Sequence, residues 1–137
     1  MITEPILRLP DLSRKFILRT DASDFGLGAA LCQDFEDGIF PVGYASRKLM
    51  EREKRYTVME KECLAIIFGV KKFAIYLIAK EFTLQTDHQP LAYLQKTKFE
   101  SDRVMRWALF LQSYQFLIEP IKGRENVVAD YLSRSVL

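Results

Sequence analysis

The sequence is poor in several things at once: one histidine, two cysteines, one tryptophan and almost no net charge. Cys32 and Cys63 have no metal-ligand spacing and fall inside regular elements. They read as reduced core thiols of an intracellular protein, not as a disulfide or a zinc site. The single histidine, His88, directly follows Asp87 at a strand end, so it alternates to the opposite face of the pleat; a structural hydrogen bond suits it better than acid–base work. No apolar run approaches the roughly 18 residues of a membrane span, and there are no internal repeats or low-complexity tracts. A net charge of +2 does not announce a nucleic-acid partner, so any such footprint has to be local. The opening MITEPILRLPDLSRKF lacks the pattern of a signal peptide, and its extended, proline-punctuated character reads as a fragment of a longer polypeptide.

What is present is an ordinary soluble composition, 49% hydrophobic and 28% charged, in 137 residues, enough for one core. KFILRTDAS alternates as a strand, and GLGAALCQDFEDGIFPVGYASRKL reads as two strands around a turn signalled by Asp37-Gly38. A long helix is expected in YTVMEKECLAIIFGVKKFAIYLIAK, from the helical spacing of Met59, Cys63, Ile66, Ile67, Val70, Ala74 and Leu77. Thr57 and Glu60 form a capping box that starts it near residue 58. EFTLQTD is a fourth strand. PLAYLQ is a short helix opened by Pro90, and SDRVMRWALFLQ is a helix capped by Ser101 or Asp102, with Trp107 in its core-facing stripe. YQFLIEPI is a fifth strand, and ENVVADYLSR a last helix capped by Asn126. Antiparallel strands followed by alternating strands and helices predict an α/β domain, a five-stranded mixed sheet flanked by helices.

Four acids stand out by position. Asp21 and Asp87 end two strands in Thr-Asp, Glu62 lies in the first turns of the long helix, and Asp130 lies in the last one. Carboxylates drawn together repel unless divalent cations sit between them, and oxygen-only ligation suits Mg²⁺ or Mn²⁺. Two such ions can drive phosphodiester cleavage. Glu60 competes with Glu62 for the helical place, but Glu60 already has its task in the capping box, which leaves Glu62. Taken one by one, each acid is better read as a solvated surface residue; it is their placement together that points to a shared site.

ILRTDASDFGLGAALCQ, YTVMEKECLAI, FTLQTDHQPLAYL and GRENVVADYLSR together resemble the ribonuclease H domain of gypsy-type LTR retrotransposon Pol polyproteins. The resemblance covers essentially the whole chain. It implies the ribonuclease H-like fold over residues 16–137, with residues 1–15 as a lead-in from the reverse transcriptase portion. It implies endonucleolytic hydrolysis of the RNA strand of RNA–DNA hybrids with two Mg²⁺ ions, for which Mn²⁺ can substitute. Asp21, Glu62, Asp87 and Asp130 match the family's acids. Ser23, Gln89, Arg124 and Asn126 lie in the same motifs as candidate substrate contacts. The implied partners are the hybrid and the polymerase domain of the same polyprotein, without a membrane, in a cytoplasmic retroelement particle. One departure concerns the loop EPIKGREN, which has no histidine where retroviral and cellular relatives often carry one; turnover is what this puts in question. The rival reading is a non-catalytic tethering domain of the same fold. Two basic groups, Arg47, Lys48, Arg52, Lys54 and Arg55 in one and Lys71, Lys72 and Lys80 in the other, are candidates for phosphate contacts.

Overall fold

A computed structural model describes residues 6–86 and 90–120. Its five strands are β1 (Phe16–Ala22), β2 (Gly26–Phe35), β3 (Gly38–Lys48), β4 (Phe82–Thr86) and β5 (Phe116–Pro120). They form one mixed sheet in the order β3-β2-β1-β4-β5. The first three make an antiparallel meander. β1 then pairs β4 in parallel, and β4 pairs β5 in parallel. Four helices accompany them: α1 (Val58–Lys72), α2 (Ala74–Leu77), α3 (Pro90–Thr97) and α4 (Asp102–Leu111). The expected last helix lies outside the described residues.

The core follows from alternation. Phe16, Leu18 and Thr20 of β1 face α1, and with Leu27, Ala29 and Leu31 of β2 they meet Cys63, Ile66, Ile67 and Val70 of that helix. Each such buried side chain contributes about 1.5–3 kcal/mol. Gly69 is what permits the close approach: a Cβ there would stand 3.1 Å from Ala29 Cβ and 3.2 Å from Thr20 Cγ2. Trp107 is buried against Tyr56, with ring centroids 6.1 Å apart, as its place in the apolar stripe predicts. Ile17, Ala30 and Cys32 form a smaller cluster on the opposite face of the sheet.

Both cysteines are free and buried. Burial pushes the Cys32 thiol up to about 11 and the Cys63 thiol up to about 12, so both stay protonated and inert. Cys63 Sγ donates to the carbonyl of Pro90, 3.4 Å away, stitching α1 to the first residue of α3.

The structure departs from the sequence reading in three places. The long helix breaks at Phe73, whose backbone leaves the helical region (φ −110°, ψ 24°); its buried ring reaches across to Gly43 of β3. The β2–β3 loop is Glu36-Asp37, one residue earlier than the Asp37-Gly38 signal, and Gly38 follows it at φ +133°, a value that favours glycine. A 3-10 turn (Glu53–Arg55), absent from the periodic pattern, precedes α1.

The lead-in is fastened to the sheet. The Arg8 amide donates to Pro41 O on β3, and its guanidinium lies 3.6 Å from the centre of the Phe40 ring and pairs with Asp37. The Gln33 side chain accepts from the Asp11 amide and donates to Asp11 O and Arg14 O. Among the described residues no helix is long and apolar enough to cross a membrane.

Candidate active site

The site is assembled where β1 ends and α1 begins. Asp21 is the penultimate residue of β1, paired in register with Gly28, and is only 7% exposed. Its strand lies between β2 and β4, and β4 ends at Thr86. Beyond β1 the chain turns tightly. The Ser23 amide donates to Gly26 O, while Ser23 Oγ accepts from the amides of Phe25 and Gly26.

Glu62 is placed by the helix start. Thr57 Oγ1 accepts from the Glu60 amide and Glu60 Oε1 accepts from the Thr57 amide, the predicted capping box. The other Glu60 oxygen pairs with Arg103 of α4, whose guanidinium lies 4.0 Å from the centre of the Tyr56 ring. Burial alone would raise the Glu60 carboxyl, but the Thr57 amide and Arg103 hold it below the usual range. Glu60 is thus tied to the cap and to α4. Two residues on, Glu62 is 3% exposed and lines a cavity with Ala22, Ser23, Asp24, Val58 and Lys61.

The structure therefore brings Ser23 and Glu62 to one cavity and puts Asp21 at the strand end that feeds its Ala22–Asp24 wall. Asp87, Gln89, Arg124, Asn126 and Asp130 lie outside the described residues, as does His88. Among the described residues no group of three or more His, Cys, Asp or Glu is arranged to hold a metal ion. The two described acids do suit a hard divalent cation: both are carboxylates, both are more than nine-tenths buried, and they come from adjoining elements.

The basic groups are partly consumed within the protein. Arg47 forms a two-pronged pair with the buried Glu53, at 2.8 and 3.0 Å, and Glu53 also accepts from the Met50 amide. Burial would raise that carboxyl; Arg47 and the amide bring it below the ordinary range. Lys54 pairs with Glu51, Lys80 donates to Leu12 O, and Lys71 lies over the Phe110 ring. Lys48, Arg52, Arg55 and Lys72 are solvent-exposed. A residue that sequence reasoning passed over is Lys61, buried in the cavity wall; a lysine inside an amphipathic helix gives no sign of which way it turns.

A mixed sheet in this order, covered by helices, with buried acids on the central strand and on the helix crossing it, defines an α/β domain of the ribonuclease H-like kind. Residues 11–114 match the model of the RNase H-like domain found in reverse transcriptase, and the chain belongs to that family. It is 46% identical over 134 residues to the retrovirus-related Pol polyprotein from transposon 297 of Drosophila melanogaster, covering 98% of this chain and 12% of that protein. It is 40% identical over 141 residues to the transposon Tf2-3 polyprotein of Schizosaccharomyces pombe, covering 99% of this chain and 11% of the polyprotein. The chain thus spans about a tenth of the length of these relatives. Among solved structures, the foamy viral protease-reverse transcriptase in complex with RNA/DNA hybrid superposes with a TM-score of 0.69 at 19% identity, over 85% of this chain and 16% of that one. The N-terminal RNase H domain of a Mycobacterium tuberculosis protein matches with a TM-score of 0.62 at 14% identity, over 90% of this chain and 93% of that one. At these identities the structural matches carry the fold. Homology makes the chain an RNase H-like domain of the retroelement Pol type.

Proposed function

We propose that this domain is an endonuclease that hydrolyses the RNA strand of RNA–DNA hybrids, working beside the polymerase portion of a retroelement polyprotein in an intracellular particle. The observation that carries the reading is the burial of Asp21 and Glu62 on adjoining elements. Buried carboxylates drawn toward one place repel each other, and a divalent cation between them relieves that repulsion. Membership of the RNase H-like family supports the cation.

Asp21 and Glu62, with Asp87 and Asp130, would hold two Mg²⁺ ions. When bound, such a pair activates the attacking water and stabilises the leaving oxygen in an in-line displacement. The chain's own residues supply the rest. The carboxylates fix the geometry of the reacting phosphate, and the β1–β2 turn with Ser23 gives the RNA strand a wall to lie against. Gln89, Arg124 and Asn126 are the remaining proposed contacts to the hybrid. Cleavage leaves 3′-hydroxyl and 5′-phosphate ends. No side-chain base stands out in the sequence, so proton transfer falls to water and phosphate oxygens.

A labelled RNA–DNA hybrid incubated with the protein and Mg²⁺ tests this. The expected result is cleavage of the RNA strand alone, none of single-stranded or duplex RNA, and none in EDTA. Equal cleavage in EDTA, or an Asp21→Asn variant as active as wild type, overturns it.

A further inference from the structure

Lys61 is 8% exposed, and lysine is almost never so buried without a partner to compensate it. The partner here is weak. Its ammonium lies 3.6 Å from Asp24 Oδ1, beyond hydrogen-bond range, and the Asp24 side chain is 85% exposed. Among the described residues none accepts a hydrogen bond from the three Lys61 ammonium protons. They border a cavity of about 150 Å³ that Lys61 shares with Ser23, Asp24 and Glu62. That is room for a hydrated phosphate group.

We propose that Lys61 is a substrate-positioning residue: its ammonium takes a non-bridging oxygen of a phosphate on the strand being cut, beside the phosphate held by the acids. This rests on the hybrid-cleaving reading above and adds a contact to it. A carboxylate cluster repels a polyanion until its charge is neutralised. A cation on the residue before Glu62 draws the strand in along the same wall. The long pair with Asp24 is a resting contact that the phosphate replaces. A charge-assisted hydrogen bond to phosphate is both shorter and stronger than that pair.

The test is steady-state cleavage of a labelled hybrid in Mg²⁺ by wild type, Lys61→Met, Lys61→Arg and Asp24→Asn, at two salt concentrations, with a thermal melt of each. Lys61→Met is expected to raise KM about tenfold, the size of one charged hydrogen bond, with kcat within about twofold. Its log KM should depend on log salt with a slope smaller by about one phosphate contact. Lys61→Arg should keep most of the wild-type KM. Asp24→Asn, which frees the ammonium, should leave KM unchanged or lower it. A wild-type KM in Lys61→Met overturns the proposal while leaving the nuclease reading intact. Equal rises in KM for Lys61→Met and Asp24→Asn, with matching losses in melting temperature, overturn it in favour of a purely structural latch. A wild type that cleaves no hybrid fails the nuclease reading, and the Lys61 contact falls with it.

Discussion

The two flanks of α1 handle charge in opposite ways. Toward α4, charges are closed by short directed contacts: Glu60 on the cap and Arg103, Glu53 on both prongs of Arg47, Arg103 over Tyr56. Toward the β1–β2 turn, Lys61 is just as buried, yet it borders a cavity with Glu62, and among the described residues its ion pair, with Asp24, is 3.6 Å long. A helix thus separates charge closed by its neighbours from a lysine that borders a cavity. Compensated buried pairs stabilise only when both partners stay.

The sharpest break in that contrast is Glu62→Gln. Cleavage should fall at least about 10²-fold, since even residues that only support a metal ligand cost up to that much. Mn²⁺ should raise the melting temperature of wild type by mass action and raise that of the variant less; scanning fluorimetry with EDTA and with Mn²⁺ reads this directly. On the other flank, Arg47→Met strands the Glu53 carboxylate and should cost about 3 kcal/mol, the low end for a broken buried pair because Arg47 is a third exposed. Urea unfolding measures it, and kcat of the folded fraction should hold.

A smaller effect follows from pH. Glu53 and Glu60 have carboxyls held below 4.5, so their contribution is complete above about pH 4.5 and is lost as pH falls through the lowered folded values. Melting temperature should drop between pH 5 and 3, and Glu53→Gln should flatten that drop while starting lower. Gly69→Ala presses a methyl onto Ala29 and Thr20. Crowding of about 1–3 kcal/mol against a helix-propensity gain of about 1 kcal/mol predicts a small net loss by urea titration. Smallest of all is Glu60→Gln, which keeps the capping box and gives up only the charge facing Arg103; cleavage should be unchanged. A loss of activity there equal to that of Glu62→Gln would mean that the two flanks do not divide the work.

Much of the fold is legible in the sequence. The capping box names the first residue of α1, alternation and the turn signal with the short β-type runs name the five described strands, and Thr57–Glu60 reciprocity shows Glu60 engaged at the cap. The break at Phe73 was hidden because apolar residues continue at helical spacing through Leu77, while the cause is a ring meeting Gly43 some thirty residues earlier. The hairpin signal slipped by one because Gly38 takes its positive φ as the first residue of β3. Lys61 was illegible for another reason: burial of a long cationic side chain depends on the turn that folds over it.

The place of β1 also governs how the chain emerges during synthesis. Its partner β2 follows after a tight turn, but its other partner, β4, ends at Thr86. The meander is complete once Lys48 is made, and at 5–20 residues per second the far side of β1 then waits roughly 2–8 s for β4. Throughout that interval it is an open strand edge, the kind that pairs with neighbouring chains unless charge discourages it. Arg19 and Asp21 supply charge of both signs on that strand. The carboxylate read here as a metal ligand in the finished domain would, on a nascent chain, first act as a guard against misassembly.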